Sequence, residues 1–599
     1  MESWQPSFVV GIDFGMTCTA ISYSEGPDWT GPWCIQQWPR PPNTNPRQLD
    51  NKVITQVGYD EQNILVNWGF VSGADGALVT IEKEFKLYID SAFPANNDPT
   101  RPSHAEAIRF YTDYMSSLCR YVESFFESSV SSWRQRNVEY LFSIPTTWKN
   151  PTLTANLKTI LAAAGFSNGY NRRLEIYLTE AEAAAVNAAK QSARVGDIIM
   201  VADAGGATTD INVLELTERS SRSTKLKALT KAEGINVGST LIDGQVRRHI
   251  TSRLRALGVT GSDLDLAWRA DDMMQEKRFE GIKCSFEGQP WQMQLENTFA
   301  VPLDVAPNLH NRRVTLSNIE LKAMFDTQIR VMAQKIDEQR IELTRHRPHD
   351  SVKYLLLSGG LGSSKYVQQQ LRARYANLEV LCALEPQLAV AKGLVMDRVQ
   401  ALKEGVGVYT GKCSRVSYGV LCRRPYDKAL HRGEPTEKDP LDKKLWVKEQ
   451  IDWLIKEGEA VPDQGFTRDY RLKIPRDGQQ SQTVEAQFVM SDNPVHGLPK
   501  SLKRGYVTRL CTVKAILHNL DSFKSIRGSI VPGGRQQHYV VDFKLKVIVG
   551  STDLKFEIVS TQGVRYSQNA ASVQVEWQEA VAPVDEPLAI PRTFFPVTP

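Results

Sequence analysis

The stretch that decides the fold runs from Ile198 to Leu216 and reads IIMVADAGGATTDINVLEL. An apolar run leads into Asp203, a Gly-Gly turn and two threonines, and a second apolar run follows at once. This pattern predicts a strand, a tight turn and a second strand. The turn combines an acid suited to a hydrated metal ion with glycines that let backbone N–H groups approach phosphate. Taken alone, a Gly-Gly turn between strands is equally typical of an ordinary hairpin.

The start of the chain repeats this pattern. Phe8–Ser24 reads FVVGIDFGMTCTAISYS. It again places Asp13, Gly15 and Thr17 between two apolar strands. Two such hairpins, each opening a segment long enough for half a domain, indicate an internal duplication. Neither leads into a helix with Gly-Lys-Ser/Thr, and neither has the spacing of a dinucleotide-binding fingerprint. We therefore expect two facing turns that hold phosphates from both sides.

Length and composition exclude several classes of protein. A chain of 599 residues is too long for one core, so several subdomains are expected. Its 41% hydrophobic and 23% charged residues are typical of a globular protein. The net charge of +4 comes without a basic block, which argues against nucleic acid. No apolar run of about 18 residues predicts a membrane span, and the eight cysteines lack metal or disulfide spacing. The sequence predicts a monomeric, cytoplasmic protein with reduced thiols.

Strand and helix patterns alternate between the two hairpins. Ser103–Arg136 has apolar residues at three- and four-residue steps and a serine that can cap a helix. The strand VEYLFSIP, a helix over 152–164, and a strand turning into an alanine-rich helix at Glu180 follow. Beyond the second hairpin, the pattern predicts a helix over Asn318–Asp337 and a strand over Val352–Leu357 before a Gly-Gly turn. This alternation favours an α/β domain.

An ordered series of segments runs through roughly residues 7–400. In chain order they are GIDFGMT, FKLYI, FSIPTTW, a helix ending AAAGF, LTEAEAAAV, VADAGGATTD, GINVGSTLID, FEGIKCSF and LLLSGGLGSSKYV. This series resembles the nucleotide-binding domain of the 70-kDa heat-shock protein family, within the actin and sugar-kinase superfamily. The last two segments look most like the divergent branch known from animals and fungi. The resemblance implies a two-lobed, actin-like α/β ATPase fold over residues 1–400, with the lobes dividing near residue 192.

The resemblance also implies roles for single residues. Asp13 and Asp203 would hold hydrated Mg²⁺. Lys86 would reach the transferring phosphate, Glu180 would order the attacking water, and Asp210 would lie beside it. The positions that would cradle the phosphates of ATP or ADP are Gly15, Thr17, Gly205, Gly206 and Thr208. The positions around ribose and adenine are Gly238, Glu280, Lys283, Gly359 and Gly360. These roles agree with phosphoryl transfer, which depends mainly on positioning and charge neutralisation.

Five positions depart from the family pattern. Met16 replaces a threonine whose hydroxyl contacts the terminal phosphate, and Ala207 replaces a glycine, where a Cβ can push the backbone from the phosphate. Ser239 replaces another glycine. Cys284 stands where the family has a basic residue at the adenine, and Ser363 replaces the arginine that stacks on it. We expect nucleotide binding to survive these changes and hydrolysis to be slow.

The pattern changes to strands after a Gly-containing stretch at 401–412, which predicts a linker. Residues 413–599 predict a β-rich interaction domain, and its opening strands resemble, more weakly, the substrate-binding β-sandwich of the same family. The final stretch, EAVAPVDEPLAIPRTFFPVTP, has five prolines, so we expect no helical lid over this domain.

Three functions fit the sequence. The leading hypothesis is an ATP-binding, chaperone-like protein with slow ATP hydrolysis, whose nucleotide state controls binding of client or partner proteins. The second is a nucleotide-dependent scaffold or regulator with little hydrolysis, which Met16 and Ala207 favour. The third is a small-molecule kinase of the same superfamily, which would need a substrate acid near the cleft and no β-rich C-terminal domain.

Overall fold

The protein is a mixed α/β chain with several sheets and divides into two compact units. A computed structural model describes residues 4–40, 49–70, 80–93, 101–189, 193–220, 222–302, 312–441, 443–462, 464–476, 481–518, 524–531, 534–560, 574–577 and 595–596. Unit 1 comprises residues 1–148 and 157–410, and unit 2 comprises 149–156 and 411–599. The predicted division near residue 192 lies outside the described residues.

The first sheet of unit 1 is built on the N-terminal hairpin. The strands are β1 (Phe8–Phe14), β2 (Cys18–Glu25), β3 (Thr30–Cys34), β4 (Val53–Ile54), β5 (Gln56–Tyr59), β6 (Leu65–Trp68), β7 (Thr80–Lys83), β8 (Val138–Ile144) and β9 (Arg172–Thr179). The sheet has the order β3-β2-β1-β8-β9, with β4 beside β2, while β5, β6 and β7 form a small separate sheet. Strand β1 pairs antiparallel with β2 and parallel with β8.

The second sheet of unit 1 is built on the hairpin of Asp203 in the same way. The strands are β10 (Ile198–Ala204), β11 (Thr209–Arg219), β12 (Thr224–Ala228), β13 (Glu233–Ile235), β14 (Glu296–Ala300), β15 (Arg313–Ser317), β16 (Tyr354–Ser358) and β17 (Glu379–Cys382). Strand β10 pairs antiparallel with β11 and parallel with β16, which gives the order β12-β11-β10-β16-β17 within unit 1. Strand β13 lies beside β11, while β14 and β15 form a separate two-stranded sheet. The five-strand order therefore equals that of the first sheet.

Helices connect and cover these strands. They are α1 (His104–Ser129), α2 (Pro151–Leu161), α3 (Glu180–Ala188), α4 (Ser239–Ala256), α5 (Asp263–Glu276), α6 (Phe279–Cys284), α7 (Asn318–His346), α8 (Gly359–Gly362), α9 (Lys365–Arg374) and α10 (Ala389–Glu404). Ser103 caps α1 as predicted, in a capping box with Glu106. The Gly-Gly turn predicted after β16 instead begins the short helix α8, with Gly359 at a φ of 78°.

Residues 401–412, predicted as a linker, carry regular structure at both ends. Residues 401–404 belong to α10. The N–H of Leu226 donates to the carbonyl of Val408 at 2.8 Å, and the hydroxyl of Thr410 donates to the carbonyl of Leu226 at 3.1 Å. Strand β12 therefore hydrogen-bonds to part of this stretch.

Unit 2 is built mainly from strands. They are β18 (Tyr409–Cys413), whose first two residues belong to unit 1, β19 (Ser417–Pro425), β20 (Thr436–Lys438), β21 (Leu445–Ile455), β22 (Ala460–Val461), β23 (Phe466–Pro475), β24 (Ser481–Ser491), β25 (Thr508–His518), β26 (Lys524–Val531), β27 (Gly534–Val549), β28 (Leu554–Ser560), β29 (Gln574–Trp577) and β30 (Phe595–Pro596). One sheet has the order β20-β21-β19-β24-β25-β29, and the other has the order β26-β27-β23-β30 with β28 beside β27.

One apolar core joins the two sheets of unit 2. The rings of Phe488 on β24 and Phe556 on β28 lie 4.4 Å apart, centroid to centroid. The alternation predicted around Val541–Val549 is confirmed, because every second side chain from Val541 is buried. The lidless prediction concerns residues 579–599, which lie outside the described residues except for β30.

Candidate functional site

Two turns of the same geometry close the hairpins of unit 1. In the first turn the N–H of Gly15 donates to the carbonyl of Cys18 at 3.1 Å. In the second the N–H of Gly205 donates to the carbonyl of Thr208 at 2.9 Å. The two predicted hairpins are therefore confirmed. In each turn the N–H of a glycine donates to the carbonyl of the residue three positions later.

The two turns face each other. A Cβ added at Gly206 would lie 3.1 Å from Thr17 Cγ2 and 3.5 Å from Met16 Cβ. Within the part of the chain that the structure describes, the backbone N–H groups of Met16, Thr17, Gly206 and Ala207 have no hydrogen-bond acceptor. We call these four groups the double-turn nest. Successive backbone N–H groups without an acceptor in a turn can bind anions such as phosphate.

Four buried carboxylates beside the two turns interact with one another electrostatically. This acidic cluster consists of Asp13, Glu180, Asp203 and Asp210, each less than a tenth exposed. Burial raises the pKa of Asp203 to about 7, although the hydroxyl of Ser358 donates to its Oδ1 at 2.6 Å and opposes that rise. The negative charges of Asp13 and Asp210 raise the pKa of Asp203 further. The cluster is thus poised to accept positive charge.

Asp210 lies directly across the hairpin from Asp203 in the register of β10 and β11. Its Oδ1 accepts the N–H of Thr146 at 3.0 Å, and its Oδ2 accepts the hydroxyl of Thr208 at 3.2 Å. Burial raises the pKa of Asp210 in spite of these hydrogen bonds. Asp210 therefore links the loop that follows β8, in the first sheet, to the second turn.

Lys86 and Glu180 form a buried ion pair. Lys86 begins a 3₁₀ turn over residues 86–89, and Glu180 is the first residue of α3. Burial raises the pKa of Glu180 to about 8, against the lowering effect of the Lys86 ammonium, and the charges of Asp210 and Asp13 add to the rise. Lys86 therefore pairs with one member of the acidic cluster, which in turn interacts electrostatically with an aspartate of each hairpin.

An apolar cluster adjoins the nest. The side chains of Met16, Leu87 and Ala207 are buried against one another, and Phe93 packs on them. Hydrocarbon cannot donate hydrogen bonds to phosphate oxygens. Met16 and Ala207 therefore contribute apolar packing, and no side-chain hydrogen-bond donor, at this edge of the nest.

Gly238 and the start of α4 support the second turn. A Cβ at Gly238 would lie 2.2 Å from the carbonyl oxygen of Gly206, so this close approach requires glycine. The N–H of Ser239 donates to the carbonyl of Gly205 at 3.1 Å, and that of Thr240 donates to the carbonyl of Gly206 at 2.8 Å. These two hydrogen bonds, together with the close approach of Gly238, fix the backbone of the second turn. Gly238 and Ser239 therefore position the nest.

The residues predicted around ribose and adenine lie in several places in unit 1. Lys283 Nζ lies 2.6 Å from Asp243 Oδ2, which joins α6 to α4. Glu280 and Cys284 are exposed on α6, and the Ser363 hydroxyl donates to the carbonyl of Gly360 at 2.7 Å. Gly359 connects to the acidic cluster, because its added Cβ would lie 3.0 Å from Asp203 Oδ1. In the described ranges, no hydrogen bond or ion pair joins the others to that cluster.

The sequence missed three residues that contact the acidic cluster. Lys52 Nζ lies 3.5 Å from Asp13 Oδ2, Ser358 binds Asp203, and the backbone of Thr146 binds Asp210. A lone lysine before a short strand carries no periodic signal. Ser358 and Thr146 meet the cluster only through parallel pairing of distant strands, so neither could be found without the topology.

The residues present fit a polyphosphate with a hydrated divalent cation. Within the described ranges, no three His, Cys, Asp or Glu side chains converge to hold a metal ion by themselves. Mg²⁺ typically keeps several waters and uses one or two carboxylates plus substrate phosphates. Asp13 and Asp203 match that need, and the double-turn nest supplies donors for the phosphates.

Comparison with known proteins adds a domain match in unit 2. Residues 412–579 match the family model described as a domain of unknown function, DUF8568. No curated protein matches the chain. Among the residues that the structure describes, no helix is long and apolar enough to cross a membrane.

Proposed function

We propose that this chain is an ATP-binding, chaperone-like protein of the 70-kDa heat-shock protein type, with slow ATP hydrolysis. The observation that carries the proposal is the double-turn nest, whose four backbone donors face each other beside a buried lysine and four buried carboxylates. In this proposal it is a monomeric, cytoplasmic protein that binds partner proteins and neither nucleic acid nor membrane.

The strand order of unit 1 supports an actin-like ATPase fold. Both sheets start with an antiparallel hairpin whose first strand pairs in parallel with a later strand, and both have the same five-strand order. Two copies of one motif place two equivalent turns opposite each other. A polyphosphate bound between the two turns would contact both halves of the unit. Loss of its terminal phosphate would therefore change the contacts of both halves.

The chain's own groups divide the work of hydrolysis. The nest N–H groups bind and orient the phosphates, and Asp13 and Asp203 hold Mg²⁺, which when bound neutralises phosphate charge. Lys86 donates to the oxygens of the terminal phosphate. Glu180, when ionised, accepts a hydrogen bond from a water and orients it for attack. Asp210 holds the second turn in place through Thr208.

Unit 2 provides the interaction domain in this proposal. Its two sheets carry the DUF8568 match, and the resemblance assigns this part of the chain to protein binding. Nucleotide state would change the affinity for a client by a coupling of about 1–3 kcal/mol, as in typical allosteric pairs.

The first prediction tests nucleotide binding by the full chain. We expect Mg²⁺-ADP and Mg²⁺-ATP to raise the melting temperature of the wild-type protein, because a ligand at 100 times its Kd stabilises the folded state by about 2.7 kcal/mol. AMP is the control, because it lacks the second phosphate that the facing turns would hold. Calorimetry gives the affinities. No shift with either nucleotide, or an equal shift with AMP, would reject the site.

The apolar cluster favours a second candidate, a nucleotide-dependent scaffold or regulator with little hydrolysis. Met16 and Ala207 bring hydrocarbon to the edge of the nest. We expect the double variant Met16→Thr, Ala207→Gly to hydrolyse ATP about 10-fold faster than wild type, since one added donor contributes about 1–1.5 kcal/mol. The control is Met16→Leu, which keeps the packing apolar.

Steady-state ATPase assays with and without unfolded peptide measure this effect. Stimulation of the wild-type rate by peptide supports the chaperone-like function. A wild-type rate at background that rises only in the double variant supports the scaffold. Equal rates in the double variant and Met16→Leu would show that the apolar cluster does not limit hydrolysis.

A further inference from the structure

Lys52 is a second lysine of the acidic cluster and has no role in the function proposed above. Its Nζ lies 3.5 Å from Asp13 Oδ2, and its side chain is 20% exposed while that of Asp13 is 9% exposed. Lys86, by contrast, is buried in its pair with Glu180. Lys52 therefore reaches the cluster from a position that is partly open to solvent.

The short strand β4 fixes this position. In its pairing with β2, Ile54 lies opposite Cys18 and Val53 lies opposite Thr19. The N–H of Thr55 also donates to the carbonyl of Thr17 in the first turn at 2.8 Å. The segment that carries Lys52 is thus anchored to the same turn that supplies half of the double-turn nest.

Strand register explains how the ammonium reaches Asp13. Continuing the pairing of β4 and β2 by one residue places Lys52 opposite Ala20, and Ala20 itself lies opposite Asp13 in the pairing of β1 and β2. Residues opposite each other share a face of the sheet. Lys52 and Asp13 therefore lie on the same face of the sheet, on either side of Ala20.

The ion pair leaves the ammonium donors for another anion. A charge-assisted hydrogen bond is typically about 2.7–2.9 Å long, and the 3.5 Å separation of this pair exceeds that length. An ammonium has three donors on a flexible stem. The negative charge of the cluster nevertheless keeps Lys52 beside the nest when no ligand is bound.

We propose that Lys52 is a phosphate-binding residue that lets this cleft hold a nucleoside diphosphate without a divalent cation. The inference rests on the proposed nucleotide site. A polyphosphate entering between the turns meets four carboxylates and needs compensating positive charge. Lys52, at the Asp13 side of the cleft, supplies part of the charge that Mg²⁺ otherwise supplies. Its loss therefore matters most when Mg²⁺ is removed.

The experiment compares ADP affinity in Mg²⁺ and in EDTA by calorimetry for the full chain and two variants. For Lys52→Ala we expect a loss of about 10- to 100-fold in EDTA and less than about 3-fold in Mg²⁺, the scale of one charged hydrogen bond. The matched control is Lys83→Ala, an exposed lysine on β7 with the same charge change, which keeps wild-type affinity in both buffers.

Rescue and folding controls complete the test. Lys52→Arg retains the charge and should keep ADP affinity in EDTA within about 3-fold of wild type. Melting curves without ligand confirm that each variant folds. Inorganic pyrophosphate, titrated in EDTA, should show the same loss in Lys52→Ala, because the contact is to phosphate and not to the nucleoside.

The outcomes separate this inference from the proposed function. Equal losses in the two buffers, no loss in EDTA, or tighter Mg²⁺-ADP binding by Lys52→Ala would overturn the role of Lys52 while leaving the nucleotide site in place. The last of these results would identify Lys52 as a competitor of the metal. Failure of the wild-type chain to bind ADP in either buffer would remove the nucleotide site and this inference together.

Discussion

Asn in place of Asp203 is expected to abolish most Mg²⁺-dependent nucleotide binding and, at the same time, to stabilise the ligand-free protein. The binding loss should be about 100-fold or more, because the change removes a charged partner of the cation. The Asn side chain keeps an oxygen that can accept the 2.6 Å hydrogen bond from Ser358, so the change is close to isosteric. The two effects have opposite signs because the buried carboxylate attracts the cation, whereas its desolvation lowers the free energy of unfolding.

The stability gain depends on pH in a defined direction. Burial raises the pKa of Asp203 from an ordinary 3.8 to about 7. Between these values the folded chain keeps a proton that the unfolded chain releases, so the free energy of unfolding falls as pH rises. Above pH 7 the full cost is present. We expect Asp203→Asn to be more stable than wild type by about 2–4 kcal/mol at pH 8 and by little near pH 4.

Denaturant unfolding in EDTA across pH 4 to 8 measures this difference. The matched control is Asp197→Asn, just before the same strand. The pKa of Asp197 is lowered, since the N–H of Arg194 and the ammonium of Lys353 outweigh desolvation. That carboxylate stabilises the fold above its ordinary pKa, so its loss should destabilise the chain at pH 8. If Asp203→Asn behaves like Asp197→Asn, or binds Mg²⁺-ADP as wild type does, the site assignment is wrong.

Local patterns predicted the parts of the fold that local contacts create. Both hairpins, the capped helix after Ser103 and the alternating strand at Val541–Val549 follow from residue spacing, turn residues and caps. These features require only neighbours a few residues away. The acids and glycines of the two turns were predicted for the same reason, because each turn is a local structure with a local signal.

Contacts between distant segments escaped prediction. Ser358 reaches Asp203 because β16 pairs in parallel with β10, and Lys52 reaches Asp13 across β2. The stretch 401–412 was predicted as a linker from its glycines, and its hydrogen bonds to β12 had no local signal. In each case the local sequence is compatible with several structures. The residue that decides between them is a contact partner far away in the sequence.

The buried pair of Lys86 and Glu180 is expected to be essential for ATP hydrolysis. We expect Glu180→Gln and Lys86→Ala each to slow ATP hydrolysis by about 100-fold or more, because the first misorients water and the second leaves phosphate charge unneutralised. Both variants should still bind Mg²⁺-ADP, since the nest and the two aspartates remain. The double variant should be little slower than the slower single variant, because residues that act on one phosphate as a unit are strongly non-additive.

The pH profile separates a role in hydrolysis from a role in folding. Burial raises the pKa of Glu180 to about 8, so the share of the carboxylate form, which is the stronger acceptor for an attacking water, increases as the pH rises through that value. The wild-type rate should therefore rise between pH 6 and pH 9, whereas the residual rate of Glu180→Gln should not follow that rise. Single-turnover hydrolysis at several pH values measures both. Turnover that is unchanged in both single variants would place the chemistry outside this cleft. Parallel pH profiles in wild type and Glu180→Gln would leave Glu180 as a structural partner of Lys86.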